Sequence, residues 1–185
     1  MHRIFALLLG LTVLAACGGG AADLDAPPAP LGDFNLVHNV VVAPKALKGG
    51  PISREASEEQ LTTAMRTAIA ERFDRYDGPR NYHFGVSVEG YILAQPGIPL
   101  VLAPKSGLII LITVWDDAAG KKMNEEPHQI TVLETFGTGA IIGSGYTLTA
   151  EEQLEQLAQN ASKAIERYLV KQMEEEGWFK SGGAT

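Results

Sequence analysis

Leu108-Ile109-Ile110-Leu111-Ile112-Thr113-Val114-Trp115 is the stretch on which the fold turns. Its length and lack of charge read as a strand that is apolar on both faces. Leu108, Ile110, Ile112 and Val114 fall on one side, Ile109, Leu111, Thr113 and Trp115 on the other. A sheet carrying helices on one side only should alternate apolar with polar. The second face of this strand therefore calls for a cover.

Working outward, Asp116-Asp117-Ala118-Ala119-Gly120-Lys121 supplies a turn, and residues 130–136 return as the next strand. Upstream, Tyr82, Phe84, Val86 and Val88 alternate with His83, Gly85, Ser87 and Glu89, the pattern of a half-buried strand. A Val-rich run over 35–43 reads as the first strand. Ser57 with Gln60 forms a capping box, and Leu61, Ala64, Met65, Ala68, Ile69, Phe73 and Tyr76 follow at helical spacing. Asp77-Gly78-Pro79 stops that helix. Thr149 with Glu152 opens a second helix, whose stripe runs through Leu154, Leu157, Ala158, Ala161, Ala164, Ile165, Tyr168 and Leu169. Trp178-Phe179 is expected to lock its end. The order is β-α-β-β-β-α. Two helices with one apolar stripe each need one sheet face, which predicts an α+β fold. The expected architecture is a two-layer sandwich, with both helices on one face of a four-stranded, mostly antiparallel sheet.

The candidate cover for the strand is Ala94-Gln95-Pro96-Gly97-Ile98-Pro99-Leu100-Val101-Leu102-Ala103-Pro104. Loops are usually polar, so Ile98, Leu100, Val101 and Leu102 need a place to go. Two readings stand. In one, the loop folds back over Ile109, Leu111 and Trp115 as a small second core. In the other, loop and strand form an exposed apolar patch for a protein partner or a lipid.

The chain has 185 residues, one cysteine and a formal net charge of −7. That length suits one domain. The acidic balance argues against a non-specific nucleic-acid binder, which needs cations to displace phosphate counterions. One cysteine excludes an intrachain disulfide and a Cys-cluster zinc site. The chain opens with Met1-His2-Arg3 and then runs from Ile4 to Ala16 without a charge. That apolar run is too short to span a bilayer core of ~30 Å, and it has the form of an export signal.

The cysteine ends that run, in Leu14-Ala15-Ala16-Cys17. This resembles the lipobox of bacterial lipoproteins. The resemblance implies diacylglycerol on the Cys17 sulfur, cleavage before Cys17, and acylation of the new amino terminus. Gly18 rather than Asp in the next position implies, by the sorting pattern of enteric lipoproteins, the periplasmic side of the outer membrane. Removal of 1–16 takes Lys+Arg from 15 to 14 against 22 Asp+Glu, so the mature charge is −8. Residues 17–32, rich in Gly and Pro, read as a lipidated flexible tether. The α+β domain is expected over 33–180, with a frayed tail at 181–185. The element order behind a lipobox, with the turn Val114-Trp115-Asp116-Asp117-Ala118-Ala119-Gly120-Lys121, resembles envelope lipoproteins of the lipopolysaccharide-assembly and ABC-transport-auxiliary type. No functional residue carries over from that turn, which many unrelated proteins share.

Residues 137–145 (GTGAIIGSG) lie between strand and helix, where a phosphate cradle would sit. The dinucleotide fingerprint fails at Ile142, and the P-loop lacks its Lys. His38, His83 and His128 lie in three segments, without metal-ligand spacing. His38 shares its strand face with Leu36 and Val40 and is expected as a hydrogen-bonded core histidine; His128 is expected in a loop. Asp116 and Asp117 are read as turn formers. No nucleophile elbow occurs, and the thiol is committed to lipid. The expectation is a non-enzymatic, lipid-anchored envelope protein with no cofactor and no metal. It would be an accessory or scaffold subunit of an assembly or transport system, held to the membrane through Cys17 and bound to an envelope protein partner. The alternative is a carrier or sensor holding a lipid or small apolar ligand between sheet and helices.

Overall fold

The computed structural model describes residues 21, 23–95, 106–134 and 148–180. Its elements are β1 (Phe34–Val42), β2 (Leu47–Lys48), α1 (Glu58–Phe73), β3 (Arg80–Ile92), β4 (Gly107–Asp116), β5 (Lys121–Lys122), β6 (His128–Leu133) and α2 (Ala150–Glu176). This is the expected α+β sandwich. The sheet holds six strands rather than four, because β2 and β5 add two short pairings to the edges of β3 and β4. Neither two-residue pairing carries a hydrophobic period long enough to read from sequence.

The sheet runs β1-β3-β4-β6. β1 is parallel to β3, as a β-α-β crossover demands, and β3, β4 and β6 form an antiparallel meander. Both capping boxes form: the Ser57 and Thr149 side chains accept from the N–H groups of Gln60 and Glu152, whose side chains reach back. α2 ends on Gly177 in the left-handed conformation (φ 73°), where a missing Cβ costs nothing.

One sheet face and the helices enclose the core. Phe84, Val86, Ile110, Ile112 and Val114 face Met65, Ile69, Leu157, Ala161 and Ile165, all buried. An aromatic cluster closes one end. The Phe34 ring lies 5.3 Å from Tyr82, 5.8 Å from Phe84 and 4.9 Å from Phe179, measured between centroids. Phe179 is the lock expected after α2; it sits at φ 58°, a conformation bulky side chains avoid. Burial of its ring and the hydrogen bond from Asp33 N–H to its carbonyl (2.9 Å) hold it there. The chain from α1 into β3 passes close beneath β1. A Cβ on Gly78 would lie 2.3 Å from the Asp33 carbonyl carbon, so only glycine fits.

Two expectations about the chain change. The stretch read as a flexible tether is docked along 23–32: Leu31 is buried, Asp23 bonds to Arg72 of α1, and the Leu24 and Ala26 carbonyls accept from Arg75 in the turn that follows it. Proline and glycine content reports a low helix or strand propensity, not an absence of tertiary contact. His38 is not a core residue. The parallel register shifts between Leu36 and His38, so Val37 is an extra residue and the side chains after it change faces. Asn39 then points to the helix side, donating to the Arg66 carbonyl (2.9 Å), while His38 lies exposed on the opposite face.

Candidate functional site

Both helices occupy one face of the sheet, and no described element lies on the other. That open face is built by alternation. β1 contributes His38, Val40 and Val42, β3 contributes His83, Gly85 and Ser87, and β4 contributes Ile109, Leu111, Thr113 and Trp115. On β6, Thr131 lies opposite Ile109 and Leu133 opposite Gly107. Val40 is 59% exposed, Leu133 57%, Trp115 38% and Ile109 37%; Leu111 is half-buried. Of the residues named from sequence as partner contacts, the fold thus brings Ile109, Leu111 and Trp115 together in one row along β4. Ile98, Leu100, Val101 and Leu102 lie outside the described residues, as do Cys17, the glycine-rich run 137–145 and the tail 181–185.

The polar end of this face is a row across three strands. His38 pairs with His83 and His83 with Trp115. The two imidazoles stack at 4.9 Å with 17° between planes. His83 Nε2 lies 3.1 Å from Asp117 Oδ1, and its buried Nδ1 has no hydrogen-bond partner. Among the described residues no group of three His, Cys, Asp or Glu side chains is placed to hold a metal ion. Asp116 and Asp117 act differently despite being adjacent. Asp116 is buried, accepts from Arg80 Nη2 (2.9 Å) and caps its own turn through the Ala119 N–H (3.0 Å). Asp117 is exposed beside His83. His128 is the first residue of β6 rather than a loop residue, and its ring stacks on Tyr168 of α2 at 3.9 Å. Burial, and then the Lys171 charge, push its pKa down, so the neutral ring is favoured there.

On the helix side lies a buried ionic cluster with no counterpart among the residues singled out by sequence. Arg72 of α1 is fully buried. Its Nη1 donates to Glu166 Oε2 (2.8 Å), its Nε to Ser162 Oγ (3.3 Å) and its Nη2 to Asp23 Oδ1 (2.9 Å). Tyr76 OH donates to the other Glu166 oxygen at 2.7 Å. Burial, then the hydrogen bond to Glu166, push the Tyr76 phenol well up, so it stays a donor at any physiological pH. Lys163 Nζ lies 3.0 Å from Asp23 Oδ2, and Arg75 Nη1 donates to the carbonyls of Leu24 (2.7 Å) and Ala26 (3.0 Å). A signal for this cluster was present. Arg72 stands three residues after Ile69 and seven after Met65, inside the apolar stripe, and Glu166 stands eight after Ala158 and three before Leu169.

Burial alone would raise the Asp23 carboxyl, but the hydrogen bonds and charges of Arg72 and Lys163 outweigh it and hold it at about 2, below the usual 3.8. A group depressed on folding contributes stability above its unfolded pKa and loses it as pH falls through the folded one. Arg72, Lys163, Arg75 and Glu166 are the charged groups around it. Pepsin cleavage within 23–31 is therefore expected to be resisted near pH 4 and to set in as pH falls toward 2.

No protein-family model matches the chain, and no curated protein matches it in sequence. Among solved structures it is similar to a DUF330-family protein of Xanthomonas campestris, at 11% identity and a TM-score of 0.45, over 81% of this chain and 94% of that one. It is also similar to the PelC dodecamer of Paraburkholderia phytofirmans, at 11% identity and TM-score 0.38, over 74% and 92%. A minor lipoprotein of Acinetobacter baumannii is similar at 16% identity and TM-score 0.32, over 71% and 93%. Likeness at this level carries no argument about what this chain does.

Proposed function

We propose that the protein is a non-enzymatic, lipid-anchored accessory or scaffold subunit of a bacterial envelope assembly or transport system, and that its open sheet face is where a protein partner binds. The anchor is supported by the order basic residue, apolar run, small residues and Cys17 in the first 17 positions. The partner face is supported by Val40, Ile109, Trp115 and Leu133, apolar side chains left in solvent on one side of a well-packed sandwich. The periplasmic face of the outer membrane is the location this reading favours. No helix among the described residues is long and apolar enough to cross a membrane, so attachment through acyl chains fits this part of the chain. A ligand held between sheet and helices finds less support. The interlayer space is occupied by Met65, Ile69, Ile110, Ile112 and Ile165, each fully buried.

The test uses the full chain in its native membrane. Detergent extracts should yield a partner in stoichiometric amount. Ile109→Asp should abolish its capture while changing stability by no more than about 1 kcal/mol, the span of strand propensity at such a site. Cys17→Ala should release the protein from the membrane fraction. Co-purifying lipid without a protein partner would favour a carrier instead. A Cys17→Ala chain that stays membrane-bound would remove the anchor.

A further inference from the structure

The docked segment 23–31 has a consequence for how the domain faces the membrane. Every side chain that holds Asp23, Leu24 and Ala26 belongs to the helix layer or the turn that follows α1: Arg72, Arg75 and Lys163. The Asp23 and Lys163 side chains are both partly exposed, so this contact lies at the surface of that layer. The open sheet face is on the other side. Asp23 is six residues from Cys17. An extended chain spans at most ~3.6 Å per residue, so the Cys17 backbone lies within roughly 20 Å of Asp23. Were the tether free up to Asp33, sixteen residues would give a reach of roughly 55 Å and no preferred side.

We propose that the Asp23–Arg72–Lys163 clamp sets the membrane-facing side of the domain: the helix layer is turned toward the lipid surface and the open sheet face is presented away from it. The proposal rests on the acylated Cys17 of the preceding reading. The clamp combines a fully buried guanidinium with two further charges, so it fixes a geometry that a lone exposed ion pair would not. On the two helices the exposed glutamates, among them Glu58, Glu59, Glu71, Glu151 and Glu155, outnumber the exposed cations Arg66, Arg167 and Lys171, so the net charge of this layer disfavours adhesion to anionic lipid. It stands off instead, and at ~20 Å the repulsion is screened, since the Debye length is about 8 Å at physiological salt. A partner reached through the sheet face would then lie on the side of the domain opposite the bilayer.

The chain has no cysteine other than Cys17, so an introduced one is a unique label site once Cys17 is acylated. Thr67→Cys places a donor fluorophore on α1, and Gln129→Cys places it on the open face of β6. The full-length lipoprotein is reconstituted into phosphatidylcholine vesicles carrying acceptor headgroups. Energy transfer is expected to be stronger from position 67 than from 129, and the double variant Asp23→Ala/Arg75→Ala, which frees Leu24 and Ala26 as well, is expected to erase the difference. Equal transfer from the two sites, or a difference that survives the double variant, overturns the proposal. Intact mass of the N-terminal peptide separates this from a failure of the anchor. A chain without acyl mass removes the anchor and the membrane-facing assignment with it. Hydrogen exchange over 23–31, slow in the parent and fast in Asp23→Ala/Arg75→Ala, still reads the clamp in that case, and fast exchange in both disproves it.

Discussion

Replacing Arg72 with methionine is expected to lower the stability of the domain by about 3–5 kcal/mol, the range for removing one member of a buried ion pair. The loss is not the value of the Arg72–Glu166 attraction. It comes from leaving the Glu166 carboxylate, almost fully buried, with Tyr76 alone among the described residues as a hydrogen-bond donor and Arg75 at 3.6 Å as a charge. Ser162 Oγ and Asp23 lose their guanidinium contacts in the same step. For a domain of this size, 1 kcal/mol moves the Tm by roughly 2–4 °C, so a fall of about 10 °C is the expected reading. Arg72→Lys should recover only part of it, because the three N–H donors of an ammonium leave one nitrogen and cannot span Glu166, Ser162 and Asp23, which the guanidinium reaches from three. Adding Glu166→Met to Arg72→Met should restore stability, since an apolar pair removes the stranded charge. A fall under about 1 kcal/mol for Arg72→Met would mean that water reaches Glu166, and the cluster would not be the joint between the helices.

Phe34→Ala is the second large effect, at about 3–5 kcal/mol, as expected for truncating a fully buried aromatic. Phe34 is the first residue of β1 and touches the rings of Phe73, Tyr76, Tyr82, Phe84 and Phe179 at centroid distances from 4.9 to 6.0 Å. Its removal opens a cavity bounded by rings from α1, β3 and the chain after α2. Those elements are held by the backbone and cannot collapse into the space. Phe179 would also lose much of the packing that keeps it at a positive φ. Urea unfolding followed by tryptophan fluorescence gives the readout, because Trp178 lies 5.8 Å from Phe179. The midpoint should fall with an unchanged slope. A midpoint within error of the parent would show that the cluster is loosely packed.

Most of the sandwich was legible along the chain because its signals are local. Capping boxes, helical stripes and the alternation of β3 depend on residues three or four apart, or two apart. The end of α2 was legible too, since an apolar Trp178-Phe179 after acidic residues has nowhere to go but inward. His38 was misplaced for a physical reason. One extra residue in β1 reverses the side chains beyond it, and a bulge depends on how two strands pair. The docking of 23–32 is not legible along the chain because its contacts come from side chains some 50 and 140 positions away, as with Arg72 and Lys163. The surplus of apolar residues in β4 was visible, and its outer face does carry Ile109 and Trp115 in solvent.

By itself, then, the sequence determined the element order and the residues that form the interlayer core. Each is set by composition and short-range period, which no tertiary contact needs to complete. Tertiary structure alone decided which sheet face the helices cover, that His38 and His83 stack on the opposite one, and that Arg72 ties Asp23 to the helix pair. Those depend on strand register and on charges brought together from distant positions, because burial makes an ion pair either satisfied or costly.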